Sequence, residues 1–200
     1  MELEKRGNVK VVFAKTILQW RNWLLKNHLV EKGVWLVIYK KDSDTVSINR
    51  DEALDQALCF GWIDSVGNKR DDESYFQYFA QRKPKSNWSG INKIKIARLI
   101  EEGQMHASGL KMVELAKETG TWTALEDVEN LVIPDDLQKA LKKAGGAYSN
   151  WTKFPASTKR GILDWIKQAK LTETRARRIE ETARLAKDNV RANQYTKKSK

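Results

Sequence analysis

Two hundred residues, 40% hydrophobic and with eight tryptophans, exclude a disordered chain and suffice to bury a core as one large domain or two small ones. The single cysteine, Cys59, excludes an intramolecular disulfide and fits a reducing compartment. The net charge is +11, of which +9 falls in Lys153–Lys200, where 14 Lys and Arg outnumber 5 Asp and Glu.

That asymmetry points to an anionic partner such as nucleic acid, an acidic protein or a membrane surface; the plainer alternative is a well-solvated helical face. Met1–Lys10 is charged, the apolar stretch Val11–Ala14 is too short for a signal peptide, and Val34–Tyr39 is too short to span a bilayer. The expectation is a soluble, cytoplasmic chain with no transmembrane segment.

In chain order, Thr16 caps a predicted helix whose Ile17, Trp20, Leu24 and His28 keep helical spacing, and Gly33 ends that region. Val34–Tyr39, aromatic and β-branched, predicts a buried strand. Ser47 or Asn49 then caps a helix through Ala53, Leu54, Ala57 and Leu58, with Asp51 and Glu52 at its positive end and Gly61 as its stop. Trp62–Val66 and Tyr75–Ala80 flank the turn-forming cluster Gly67–Asp72 and predict a hairpin. With Val34–Tyr39 they make an antiparallel sheet of about three strands.

The rest reads as helices. Ser89 caps one that runs to Gly103, Ser108–Thr119 forms a second, and Pro134 opens a third that ends before Gly145-Gly146. Pro155–Ala169 and Thr172–Val190 are the clearest, the latter with the seam Ala176, Ile179, Ala183, Ala186 and Val190. On its outer side Arg177–Glu181 and Arg184–Asp188 form i,i+4 pairs, leaving Arg175, Arg178, Lys187 and Arg191 as the freer basic surface. Residues 192–200 read as a disordered basic tail. The expected division is an α+β part over 1–89, a helical part over 90–191, and then that tail.

Three strings go beyond generic pattern: Glu52–Asp64 (EALDQALCFGWID), Arg82–Ser89 (RKPKSNWS) and Glu173–Ile179 (ETRARRI). With Pro134–Leu137 (PDDL) and Gly161–Ile166 (GILDWI) between them, the chain resembles the bacterial YdeI/OmpD-associated, bacteriocin-protection family over roughly residues 30–190. The third string belongs to that family's C-terminal helical module, about 132–191 here. The resemblance implies an association with envelope stress and tolerance of antimicrobial peptides, with no reaction and no catalytic residues attached.

The densest mixture of rings and charges is Leu58–Asn92. Arg82, Lys83 and Lys85 stand just before the helix capped by Ser89, where backbone N–H groups and the helix dipole favour an anion. Trp62 and Trp88 could stack on a ligand, Asn87 and Asn92 could add polar contacts, and alternation assigns half of the rings in the hairpin to the core. Asp64 shares a strand face with Trp62, which would suit a general acid or base; the favoured reading is an ion pair with Arg82 or Lys69 across the hairpin.

No catalytic set, metal site or cofactor loop is legible. Cys59, His28 and His106 share no ligand spacing, and there is no nucleophile elbow or phosphate-cradling loop. A chain of +11 is electrostatically unsuited to capture a cationic peptide directly. The expected protein is α+β and mostly helical: a small antiparallel sheet with helices, then a C-terminal helical bundle of about five helices. Its expected function is non-catalytic binding of an anionic partner in stress tolerance. The alternatives are a nucleic-acid-binding module and an enzyme with a pocket near Trp62, Asp64 and Arg82. The sequence sets no oligomeric state.

Overall fold

The computed structural model describes residues 2–194. The chain forms two compact units, Met1–Thr123 and Ala124–Lys200. Residues 90–123, placed above with the helical part, belong to the first unit.

The first unit contains β1 (Glu2–Arg6), β2 (Val9–Phe13), α1 (Ile17–Asn27), β3 (Gly33–Tyr39), α2 (Arg50–Cys59), β4 (Trp62–Lys69), β5 (Ser74–Gln81), α3 (Gly90–Glu101) and α4 (Ala107–Glu118). Thr16, Asn49 and Ser89 cap α1, α2 and α3 as their side chains predict, and Asn49 completes a capping box with Glu52. The α+β class holds. The sheet is larger than expected: five strands in the order β1-β2-β3-β5-β4, with β2 and β3 parallel and the remaining pairs antiparallel.

The missed strands have a physical explanation. In β2 the apolar run is only Val11–Val12–Phe13, and β1 is mostly charged. What makes β2 a strand is its parallel register with Trp35, Leu36 and Val37 after the α1 crossover, a non-local pairing that leaves no local signature.

One sheet face carries Val34, Leu36, Ile38 and Phe79 into a core with Trp20, Leu58, Trp62, Trp88, Ile96 and Leu99. Val11, Val37 and Phe76 form a second cluster with Phe13, Trp35 and Tyr39. Tyr75 and Phe79 therefore go one way and Phe76 the other, as strand alternation requires.

The second unit holds α5 (Glu126–Glu129), α6 (Asp135–Lys143), α7 (Ala147–Lys153), α8 (Ala156–Lys167) and α9 (Thr172–Lys187) around Leu137, Leu141, Trp151, Ile162 and Ile166. Helices α5 and α7 have no counterpart among the predicted elements. They are too short to show a periodicity, although α7 buries Ala147 and Trp151. Of the predicted α9 seam, Ile179, Ala183 and Ala186 are buried, while Ala176 is exposed and Val190 lies beyond the helix on the surface. Ala192 is 1% exposed, and residues 195–200 of the predicted tail lie outside the described residues.

Candidate functional site

The segment 62–92 does not form one constellation. Trp62 and Trp88 are both 1% exposed, so neither offers a free stacking face. Trp62 Nε1 donates to the His28 carbonyl at 3.1 Å. Asp64 does take an ion pair, but from neither predicted partner. Arg50, in the first turn of α2, donates its Nε to Asp64 Oδ2 at 2.9 Å. The sequence could not show that the start of α2 comes to lie beside β4. Asp64 lines a hollow of about 490 Å³ with Asn92, Ser89 and Lys95, away from Arg82.

The basic run is split by burial. Lys83 and Lys85 are exposed, whereas Arg82 turns inward and is 6% exposed. Its guanidinium lies 3.7 Å over the ring of Trp88, and its Nη2 donates to the carbonyl of Asn87. Its Nε has no partner, and no carboxylate pairs with it among the described residues. Burial lowers its pKa to about 10.

Arg82 and Trp62 line a cleft of about 220 Å³ with His28, Ser108 and Lys111. His28 is also 6% exposed; its Nδ1 donates to the Leu24 carbonyl at 2.9 Å, and its buried Nε2 has no partner among the described residues. The ring of His106 meets it edge to face, with centroids 4.9 Å apart. Folding thus unites the only two imidazoles, which no spacing in the sequence reveals. The pKa of His106 is lowered by burial, then by His28 and Arg21. Among the described residues no three His, Cys, Asp or Glu group to hold a metal ion.

Ser108 Oγ sits 2.9 Å from His106 Nδ1, the distance of a nucleophile and its base. That nitrogen, however, accepts the backbone N–H of Ser108 as the cap of α4, and the hydroxyl donates to the Phe60 carbonyl at 3.1 Å. The contact is a helix cap, already satisfied at every atom it uses.

In the second unit a groove of about 720 Å³ runs between α6 and α9. Its floor is small and apolar, with Ala140, Ala144, Ala176, Ile179 and Ala183. Its rim is mostly basic. Of the four predicted surface cations, Arg175 and Lys187 line it. Arg178 instead donates to the Trp165 carbonyl and packs 5.0 Å from that ring, and Arg191 lies past the end of α9.

The charge map also differs from the expected one. Arg175, expected among the freer cations, makes a bidentate pair with Asp136 at 2.8 and 3.0 Å. The predicted pairs Arg177–Glu181 and Arg184–Asp188 are not formed, consistent with their less favourable basic-first order. Among the described residues Lys143, Arg184 and Lys187 make no ion pair, and all three line the groove.

An N-terminal unit on a mixed sheet and a helical C-terminal unit with a basic-rimmed groove define a two-unit α+β protein. Residues 12–112, half of the chain, match the family described as "Domain of unknown function (DUF8412)", and residues 130–189 match "Bacteriocin-protection, YdeI or OmpD-Associated". The chain belongs to the DUF8412 family and carries a YdeI/OmpD-associated, bacteriocin-protection module at its C-terminal side. The strings at 52–64 and 82–89 fall in the first match, and those at 134–137, 161–166 and 173–179 in the second. No curated protein and no solved structure gives a match. No helix among the described residues is long and apolar enough to cross a membrane.

Proposed function

We propose that this is a non-catalytic binding protein whose α6–α9 groove takes an acidic, amphipathic helix of a partner protein. One observation carries the reading: Lys143, Arg184 and Lys187 rim an apolar floor and have no acidic partner among the described residues. Alanine at four of the five floor positions lets a helix backbone approach closely, and the three cations can each meet a carboxylate on its flanks. The groove lies within the residues that match the bacteriocin-protection family, so the binding would serve that role. A cationic peptide is disfavoured there by like charge. The protective effect is then indirect, through a cytoplasmic partner, and the reduced, buried thiol of Cys59 fits that compartment.

Fluorescence anisotropy with a labelled Glu/Leu amphipathic helix tests the reading, alongside a Lys/Leu helix and a single-stranded DNA of matched charge. Saturable binding of the acidic helix alone, weakened about tenfold or more by Lys143→Glu with Arg184→Glu, is expected. Preference for DNA with a steep salt dependence would move the assignment to nucleic acid. No binding of either anion would end it.

A further inference from the structure

The cleft of the first unit shows a second feature, in different residues from those of the groove. Burying a guanidinium without a carboxylate is costly, and a buried polar atom without a partner calls for an explanation. Arg82 and His28 are each 94% shielded, each keeps one unpartnered buried nitrogen, and both line the same cleft. Lys111, exposed at its mouth, makes no ion pair among the described residues, and no Asp or Glu lines the walls. Leu29, Phe60, Met112 and Leu115 supply apolar surface.

We propose that this cleft binds a small carboxylic acid with an apolar, ring-sized body. The charge is set by Arg82 and Lys111 with no opposing acid. The headgroup follows from chemistry: a guanidinium offers its N–H donors as a planar fork, and the described residues occupy Nη2 of Arg82 alone, through the Asn87 carbonyl, so a planar carboxylate suits the donors that remain. The size follows from the volume of about 220 Å³, well below that of drug-sized pockets at roughly 300–1,000 Å³. The apolar walls take the ring, and His28 lines the cleft beside them.

The test is a titration of the full-length protein with benzoate, with benzamide as the neutral control, read from the two imidazole Cε1–H resonances in proton NMR. His106→Asn assigns the His28 signal. A saturable shift of that signal with benzoate and none with benzamide is expected. Arg82→Lys should weaken the response; because Arg82 also holds the Asn87 turn, Lys111→Glu serves as the second variant at an exposed position and should weaken it about tenfold. Equal responses to benzoate and benzamide, no saturable response, or an unchanged affinity in Lys111→Glu would overturn the assignment. The groove reading is untouched by any of these outcomes, since it rests on other residues in the other unit.

Discussion

The imidazoles of His28 and His106 stand edge to face with centroids 4.9 Å apart, and Phe60 stacks on His106 at 4.8 Å. A proton on His106 meets burial, the neighbouring imidazole and the Arg21 guanidinium, all of which hold its pKa below the ordinary 6.5. It would also occupy the nitrogen that caps α4 by accepting the Ser108 N–H.

Stability should therefore fall in mild acid. With the folded pKa depressed, the unfolded chain binds more protons between that value and 6.5, so this contribution is complete above 6.5 and is lost as pH falls through the folded value. Urea unfolding at about pH 7.5 and about pH 5 measures it. His106→Asn keeps a capping oxygen and removes the titration, so its pH dependence should be flatter than that of the wild type. An identical slope would show that other groups carry the effect.

Two glycines should respond oppositely to alanine. A Cβ on Gly109 would lie 2.2 Å from the Cys59 carbonyl oxygen, so α4 packs there by its bare backbone. Gly109→Ala should destabilise the first unit by about 1–3 kcal/mol or more, as overpacking does. Gly161 lies inside α8, and among the described residues nothing stands within 4 Å of where a methyl group would be. Gly161→Ala should stabilise the second unit by roughly 0.5–1 kcal/mol. Thermal melts of both variants distinguish the signs.

Local chemistry was readable, and assembly was not. Caps at Thr16, Asn49 and Ser89, the hairpin around Gly67 and the long helices α8 and α9 follow from side chains within a few residues of one another. Strand β2 depends on β3 across a helix, and α7 depends on Trp151 finding a core. The surroundings of the candidate site residues were hidden for the same reason. Arg82 shares its run with Lys83 and Lys85 but not their environment, because only Arg82 sits over Trp88. Asp64 meets Arg50 and His28 meets His106 through tertiary approach alone. The cationic character of α9 was legible; which of its arginines are neutralised was not, since Asp136 reaches Arg175 from another helix.

Cys59 should be inert in the native state. It is fully buried, and burial raises its thiol pKa despite Arg21 nearby. A disulfide reagent at mildly alkaline pH should react in urea and not in buffer, at a rate set by opening of the first unit. Fast modification of the native protein would contradict the packing of α4 on the end of α2.

Arg175 and Arg184 should separate stability from binding. Arg175 donates twice to Asp136 and holds that carboxyl below the usual carboxylate range, so part of its charge is spent inside the unit. Both partners are partly exposed, and Arg175→Ala should cost at most about 1 kcal/mol in the unfolding of the second unit. Arg184 has no ion-pair partner among the described residues, so Arg184→Ala should leave the melt within about 0.5 kcal/mol of wild type. In the anisotropy titration with the acidic helix the order should invert: Arg184→Ala weakens binding, and Arg175→Ala weakens it less because Asp136 already screens that charge. Removing Arg175 also frees the Asp136 carboxylate in the groove, so the comparison needs Arg175→Ala with Asp136→Asn, which leaves neither charge behind. If that pair binds the helix as wild type does while Arg184→Ala does not, the rim acts through its unpaired cations. If the pair loses binding as severely, the ion pair itself shapes the groove.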